Sequence, residues 1–265
     1  MNKTWRIIID GKGNGLENMA VDEALYDIYS QQRIPTLRLY GWDEPFVSLG
    51  YNQKVDQVLF SSDRLGFVRR ITGGSAILHD QELTYSIICS QSDLGLSAKV
   101  KEAYQKLCSF LVEFYRNLGL KADFAKDISK EILGVYANSC FSNWQDFDIL
   151  IANKKIGGNA QRRRKEIIFQ HGSIPQVINF QLLKKTIRSS SKASEKATCL
   201  NVLLSKNTEF EVLQSQLIKS FKDVFLVDTY QGHLSRPELA RKDFLLANRY
   251  KDIAWNFKDE KAILV

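Results

Sequence analysis

The sequence predicts an α+β protein built on a mixed, mostly antiparallel sheet flanked by helices, on three observations. Strand-like and helix-like segments are interspersed without the regular βαβ alternation of a doubly wound parallel sheet. Residues 99–118 carry apolar side chains at helical spacing, enough for one long buried helix. The chain has 265 residues, 44% of them hydrophobic, which is enough apolar mass for a sizeable core without disulfides or metal. This length suits one domain over 1–265, with 176–265 as a smaller helical C-terminal part packed on it.

Trp5 to Ile9 reads as a strand closed by the turn Asp10-Gly11-Lys12-Gly13. Asn18 is placed to cap a helix from Met19 to Gln32, ended by Pro35. Short strands follow at Thr36 to Tyr40, Phe46 to Leu49, Phe67 to Ile71, Ala76 to Leu78 and Leu83 to Ser90. The long helix over 99–118 stops at Asn117-Leu118-Gly119. More strands are expected at Ala122 to Ala125, Phe147 to Ala152 and Ile167 to Ile174. Beyond Pro175 the pattern is helical, clearest at Phe180 to Ile187 and Phe210 to Phe225, then around Pro237 to Tyr250, with a last strand possible in the tail.

No stretch approaches the ~18 consecutive apolar residues of a membrane span, and the first residues lead directly into a strand. Cys89, Cys108, Cys140 and Cys199 show neither C-x-x-C pairing nor zinc-ligand spacing, so they read as reduced cytoplasmic thiols and no metal is expected. Net charge is +7, and residues 151–200 hold eleven lysines and arginines against two glutamates. Such clustering suits an acidic partner or a solvated face; without interleaved aromatics or a known motif it argues against nucleic acid.

Four stretches carry candidate chemistry. Arg69-Arg70-Ile71-Thr72-Gly73-Gly74 could bring backbone N–H groups to a ligand, or be a hairpin with Gly-Gly at its tip. In Lys155-Ile156-Gly157-Gly158-Asn159-Ala160, the lysine could point into a pocket and stabilise developing negative charge, or face solvent. His171, in Gln170-His171-Gly172-Ser173-Ile174, could be a catalyst or a hydrogen-bonded core histidine. Cys140, in Asn138-Ser139-Cys140-Phe141, is a nucleophile if positive charge stabilises its thiolate, with Lys155 the candidate source. Cys89 and Cys108 read as packing residues.

Taken in order, these stretches resemble the family of lipoate-protein ligases and protein octanoyltransferases, which shares its catalytic fold with biotin-protein ligases. The resemblance runs from Trp5 to about Pro175 through Asn18-Met19-Ala20-Val21-Asp22-Glu23-Ala24, Tyr40-Gly41-Trp42, Gly50-Tyr51-Asn52-Gln53 and Gly66-Phe67-Val68-Arg69-Arg70. It continues through Thr72-Gly73-Gly74, His79-Asp80-Gln81-Glu82-Leu83-Thr84-Tyr85-Ser86, the Lys155 motif and the His171 run. Within the family, Cys140-Phe141 is similar to the cysteine-dependent octanoyltransferases of lipoate assembly. The resemblance implies acyl transfer from octanoyl-acyl carrier protein, through an acyl-Cys140 intermediate assisted by Lys155, to a lysine of a lipoyl-domain protein such as glycine cleavage H protein. It implies a substrate-binding set of Arg70, Thr72, Gly73, Gly74, His79, Gly158, Asn159, Ala160, His171 and Gly172, and no cofactor. Ser75, Asn159 and Arg162-Arg163-Arg164 depart from the usual family pattern. Two alternatives stay open: an ATP- and Mg²⁺-dependent lipoate-protein ligase with Cys140 incidental, and an amidotransferase moving the acyl group between lipoyl-domain proteins.

Overall fold

The computed structural model describes residues 4–61, 65–97, 99–128, 139–141 and 144–258. Its frame is a six-stranded sheet formed by β1 (Trp5–Gly13), β2 (Thr36–Trp42), β6 (Glu82–Ser90), β10 (Gly158–Arg164), β11 (Ile167–Pro175) and β12 (Thr229–Gln231), in the order β10-β11-β6-β2-β1-β12. The pairs β10–β11, β11–β6 and β6–β2 are antiparallel, while β1 runs parallel to β2 and β12. A second sheet has β3 (Phe46–Leu49) between β4 (Gly66–Arg69) and β5 (Ile77–His79), and a third joins β7 (Ala122–Phe124), β8 (Ile149–Ile151) and β9 (Lys154–Lys155).

The main helices are α1 (Gly15–Gln32), α3 (Val100–Asn117), α8 (Phe210–Phe225) and α9 (Arg236–Leu245), the last running into a π turn at Leu246–Tyr250. Shorter helices are α2 (Val55–Val58), α4 (Ala125–Ile128), α5 (Phe180–Thr186), α6 (Ala193–Lys196), α7 (Leu200–Leu204) and α10 (Ile253–Phe257). No helix among the described residues is long and apolar enough to cross a membrane.

Strand alternation divides the main sheet into two faces. Trp5, Ile7, Leu37, Leu39, Leu83, Tyr85 and Ile87 point to one face and pack with Leu107, Phe110 and Phe114 of α3 and Leu213, Leu217 and Phe221 of α8. Each such fully buried side chain contributes about 1.5–3 kcal/mol of apolar burial. The opposite face mixes the apolar Ile8, Ile88 and Phe169, packed on α1, with the buried polar Arg38, Thr84, Ser86, His171 and Ser173. This polar face therefore needs hydrogen-bond partners in the interior.

Three sequence expectations change. The cap of α1 is Asn14, whose side chain accepts from the Leu16 N–H, and the helix starts at Gly15. Asn18 lies inside it, buried, donating to the Gly13 and Gly41 carbonyls and accepting from Arg38. Gly73-Gly74 is no hairpin tip, because β4 and β5 both pair with β3 and not with each other. Finally, the C-terminal part is not only helical, since β12 joins the main sheet at its edge. Of the tail from Leu234 to Val265, in which a last strand is possible, residues 259–265 lie outside the described residues, as does Asn138.

Candidate active site

Three local structures bring Cys140 and Lys155 together. Ser139 bridges to Ala76, and the Cys140 N–H donates to the Ala76 carbonyl at 3.0 Å, tying the cysteine to the end of the glycine loop. β8 and β9 form a hairpin over Ala152 and Asn153, both at positive φ, as a tight two-residue turn requires. Its register pairs Leu150 with Lys155, so Asp148 and Lys155 share one face. Glycine at 158 completes the contact: a Cβ there would lie 2.3 Å from Cys140 Sγ, so any larger residue would expel the sulfur. Gly157, at φ +80°, turns the chain from β9 into β10.

Around Cys140 opens a cleft of about 420 Å³. Gly74 and Ser75 form one wall, Val100, Lys101 and Tyr104 of α3 another, and Gln145, Asp146, Phe147 and Asp148 a third. Lys155 Nζ donates to Asp148 Oδ2 at 2.7 Å, and Lys155 Cε and Cys140 Sγ both pack over Gly158, 3.8 and 2.3 Å from where a Cβ there would stand, so the two side chains are neighbours. Burial alone would lower the Lys155 pKa, but the negative charge of Asp148 and the Cys140 sulfur outweigh it and hold the amine above its ordinary 10.5. Lys155 is thus a fixed ammonium, 3% exposed, beside a nucleophile that the cleft can reach. The Tyr104 hydroxyl donates to the Asn159 carbonyl at 3.0 Å, which ties β10 to α3 at the cleft.

A second, much smaller cavity of about 20 Å³ lies on the other side of β10, lined by Met19, Trp42, Ile77, His79, Ala160 and His171 among others. Here every titratable group is paired. The Arg70 guanidinium donates to Thr72 Oγ1, to Ser48 O and Oγ, and to the Gly73 and Ser75 carbonyls. His79 stacks on Trp42, with ring centroids 3.9 Å apart, and shares its nitrogens with Ser48 Oγ and Glu82. His171 bonds Thr72 Oγ1 at 2.7 Å through Nε2 and faces Asp22 through Nδ1. Burial lowers the His171 pKa, against the opposing pull of Asp22, so the ring is neutral at pH 7.

The residues singled out in the sequence thus divide into two groups. Cys140, Lys155, Gly74 and Asn159 border the open cleft, and Gly158, which lines the inner cavity, backs the Cys140 sulfur. Arg70, Thr72, His79, Ala160 and His171 border the inner cavity or its hydrogen-bond network, Gly73 feeds its carbonyl to Arg70, and Gly172 packs against Asn159 and Tyr85. Sequence reasoning missed Asp148 and Tyr104. Asp148 was accessible only through the β8–β9 register, and Tyr104 reads as one more apolar position of α3.

A sequence model of the lipoyl protein ligase A/B catalytic domain matches residues 14–222, and the chain belongs to that family. Among its relatives, the octanoyltransferase LipM of Anoxybacillus flavithermus is 34% identical over 97% of this chain and 99% of its own length, and the octanoyltransferase LipM of Bacillus subtilis is 33% identical with the same coverage. Solved structures agree on the fold. Lipoate-protein ligase A bound with ATP superposes with a TM-score of 0.81 at 22% identity, covering 96% of this chain and 98% of the other. Ta0514 of T. acidophilum, described as a lipoate protein ligase with bound lipoic acid, gives 0.80 at 21%, covering 96% and 99%.

Proposed function

We propose that the protein is an octanoyltransferase of lipoate biosynthesis that takes the octanoyl group of an acyl carrier protein onto Cys140 and passes it to a lysine of a lipoyl-domain protein, such as glycine cleavage H protein. The observation that carries this reading is the Cys140 sulfur and the buried Lys155 side chain packed side by side over Gly158 and lining one open cleft. In the first step the thiolate attacks the thioester carbonyl carbon, the C–S bond to the phosphopantetheine breaks, and that sulfur leaves as a thiolate that takes its proton from water. In the second, the neutral amine of the acceptor lysine attacks the acyl-cysteine, the amide forms, Cys140 leaves as thiolate beside Lys155, and the surplus proton goes to water. Lys155 supplies positive charge for the oxyanion in both steps.

Gly74 and Asn159 shape the cleft walls and Gly158 backs the Cys140 sulfur, while Arg70, Thr72, His79, Ala160, His171 and Gly172 shape the interior behind them. No cofactor is needed, because the thioester is already activated. The exposed Arg162, Arg164, Lys165, Lys184, Lys185 and Lys192 would steer two acidic carrier proteins, an effect that weakens with salt. The free thiols fit a reducing compartment, the cytoplasm.

The test is intact-protein mass spectrometry after mixing wild type and Cys140→Ala with octanoyl-acyl carrier protein without ATP. One hydroxylamine-labile octanoyl adduct on wild type alone supports the reading. No adduct, with acylation of a lipoyl domain only once ATP and free lipoate are present, makes the protein a ligase. An adduct formed only from an octanoylated lipoyl-domain protein makes it an amidotransferase.

A further inference from the structure

The Cys140–Lys155 pairing carries a hazard under the transferase reading, on which this inference rests. An acyl-cysteine beside a lysine amine is a substrate for the reaction that the acceptor lysine performs. A neutral Lys155 would attack the thioester carbonyl carbon; the C–N bond forms, the C–S bond breaks, the sulfur leaves as thiolate, and the surplus proton passes to it or to water. The product, an octanoyl-Lys155 amide, is not reversed by thiols and would end the enzyme's turnover. Lys155 packs over Gly158 beside the sulfur that carries the acyl group and lines the same cleft, so its amine is held close to the thioester.

We propose that Asp148 is the residue that prevents this self-acylation: its carboxylate, 2.7 Å from Lys155 Nζ, keeps the amine an ammonium, so that Lys155 assists acyl transfer without being acylated. The pair is enclosed, with side chains 4% and 7% exposed, so water does little to hold the charge. The carboxylate is fixed in turn, because Asp148 Oδ2 also accepts the Gln145 N–H at 2.8 Å. Burial works against the ammonium, and the negative charges of Asp148 and Cys140 are the largest that offset it. Acylation of Cys140 removes one of those two, at the moment when a neutral amine would do harm. Among the described residues, Asp148 is then the one carboxylate bonded to Lys155. The other titratable groups lining the cleft are engaged elsewhere: Asp146 pairs with Lys101 at 3.2 Å at the exposed mouth, and Tyr104, its phenol held protonated by burial, is committed to the Asn159 carbonyl.

The experiment compares wild type, Asp148→Asn, Asp148→Glu and Asp148→Asn/Lys155→Arg, each acylated by octanoyl-acyl carrier protein without acceptor, then treated with hydroxylamine and mapped by peptide mass spectrometry. The expected result is a labile adduct on Cys140 in wild type and Asp148→Glu. In Asp148→Asn it is replaced by a hydroxylamine-resistant adduct on Lys155, with turnover stopping after about one cycle. The resistant adduct is absent from the double variant. A folded Asp148→Asn protein whose adduct stays labile on Cys140 overturns the proposal and leaves the transferase reading intact, whereas no adduct on wild type removes that reading and the proposal with it. Should Asp148→Asn fail to fold by thermal melt, isolated wild-type acyl-enzyme is aged at about pH 10, where an ordinary lysine is partly neutral. Absence of a resistant adduct then supports the guard, and its appearance refutes it.

Discussion

The cleft at Cys140 and the cavity at His171 lie on opposite sides of β10 and meet at Gly158, yet they treat their polar groups in opposite ways. In the inner cavity, Arg70 uses all three of its nitrogens, and both histidines use both ring nitrogens, within a space of about 20 Å³. At the cleft, one reactive sulfur faces a space of about 420 Å³ with a single fixed ammonium beside it. The difference teaches that titratable residues mark reactivity only where their bonds are left open to a substrate; a saturated buried network specifies shape and resists change. Two histidines and an arginine look more catalytic in a sequence than a cysteine and a lysine do. In the fold they brace the wall against which Cys140 rests.

The comparison can be broken most directly at the sulfur. Cys140→Ala should lose at least about 10³-fold in kcat while melting as wild type does; retained turnover would move the chemistry to the inner side. At the shared boundary, Gly158→Ala puts a methyl 2.3 Å from Cys140 Sγ. Displacing the nucleophile by about 1 Å should cost about 10²-fold in steady-state rate with the fold intact, and an unaffected rate would mean that the sulfur reacts from another position.

On the inner side the expected readout is stability. Arg70→Ala orphans the buried carbonyl and hydroxyl of Ser48, removes a donor from the part-buried Gly73 and Ser75 carbonyls, and should destabilise by about 3 kcal/mol in urea unfolding. An unchanged midpoint with weakened donor binding would make Arg70 a ligand contact instead. The smallest effect is with pH. His171 is held below its ordinary 6.5 by burial, so the unfolded chain takes up that proton first, and stability should be full above about pH 6.5 and fall as pH drops. Asp22, whose burial is outweighed by Arg38 and His171, is held below 3.8, so its contribution is present above that pH and lost beneath it. A flat unfolding free energy from pH 7 to 5, read by denaturant titration, would contradict a buried neutral His171.

Much of this was legible in the sequence, for identifiable reasons. α3, α8 and β6 carry unbroken apolar periodicity because each buries a face in the main core, and the structure reproduces them within a residue or two. The edge strands were harder. β10 reads Gly-Asn-Ala-Gln-Arg-Arg-Arg, without apolar alternation, because its outer side pairs with nothing, and β12 is only three residues long. Asn14 and Asn18 are equally good caps on paper; only the Gly13 and Gly41 carbonyls, brought close by β1–β2 pairing, explain why Asn18 is inside. The Cys140 and Lys155 motifs were recognisable, as was the family they point to. Asp148 was not, since one carboxylate among thirty acidic residues gains meaning only from the register of a hairpin.

Under the transferase reading, the acyl group rests on Cys140 and leaves from there without further activation. Wild-type enzyme is acylated by octanoyl-acyl carrier protein, separated from the donor, and mixed with an unmodified lipoyl-domain protein in the absence of ATP, following both masses over one turnover. The octanoyl mass should leave the enzyme and appear on the acceptor lysine at matching rates. An acyl-enzyme that persists while the acceptor is modified only after ATP and free lipoate are added would contradict the claim.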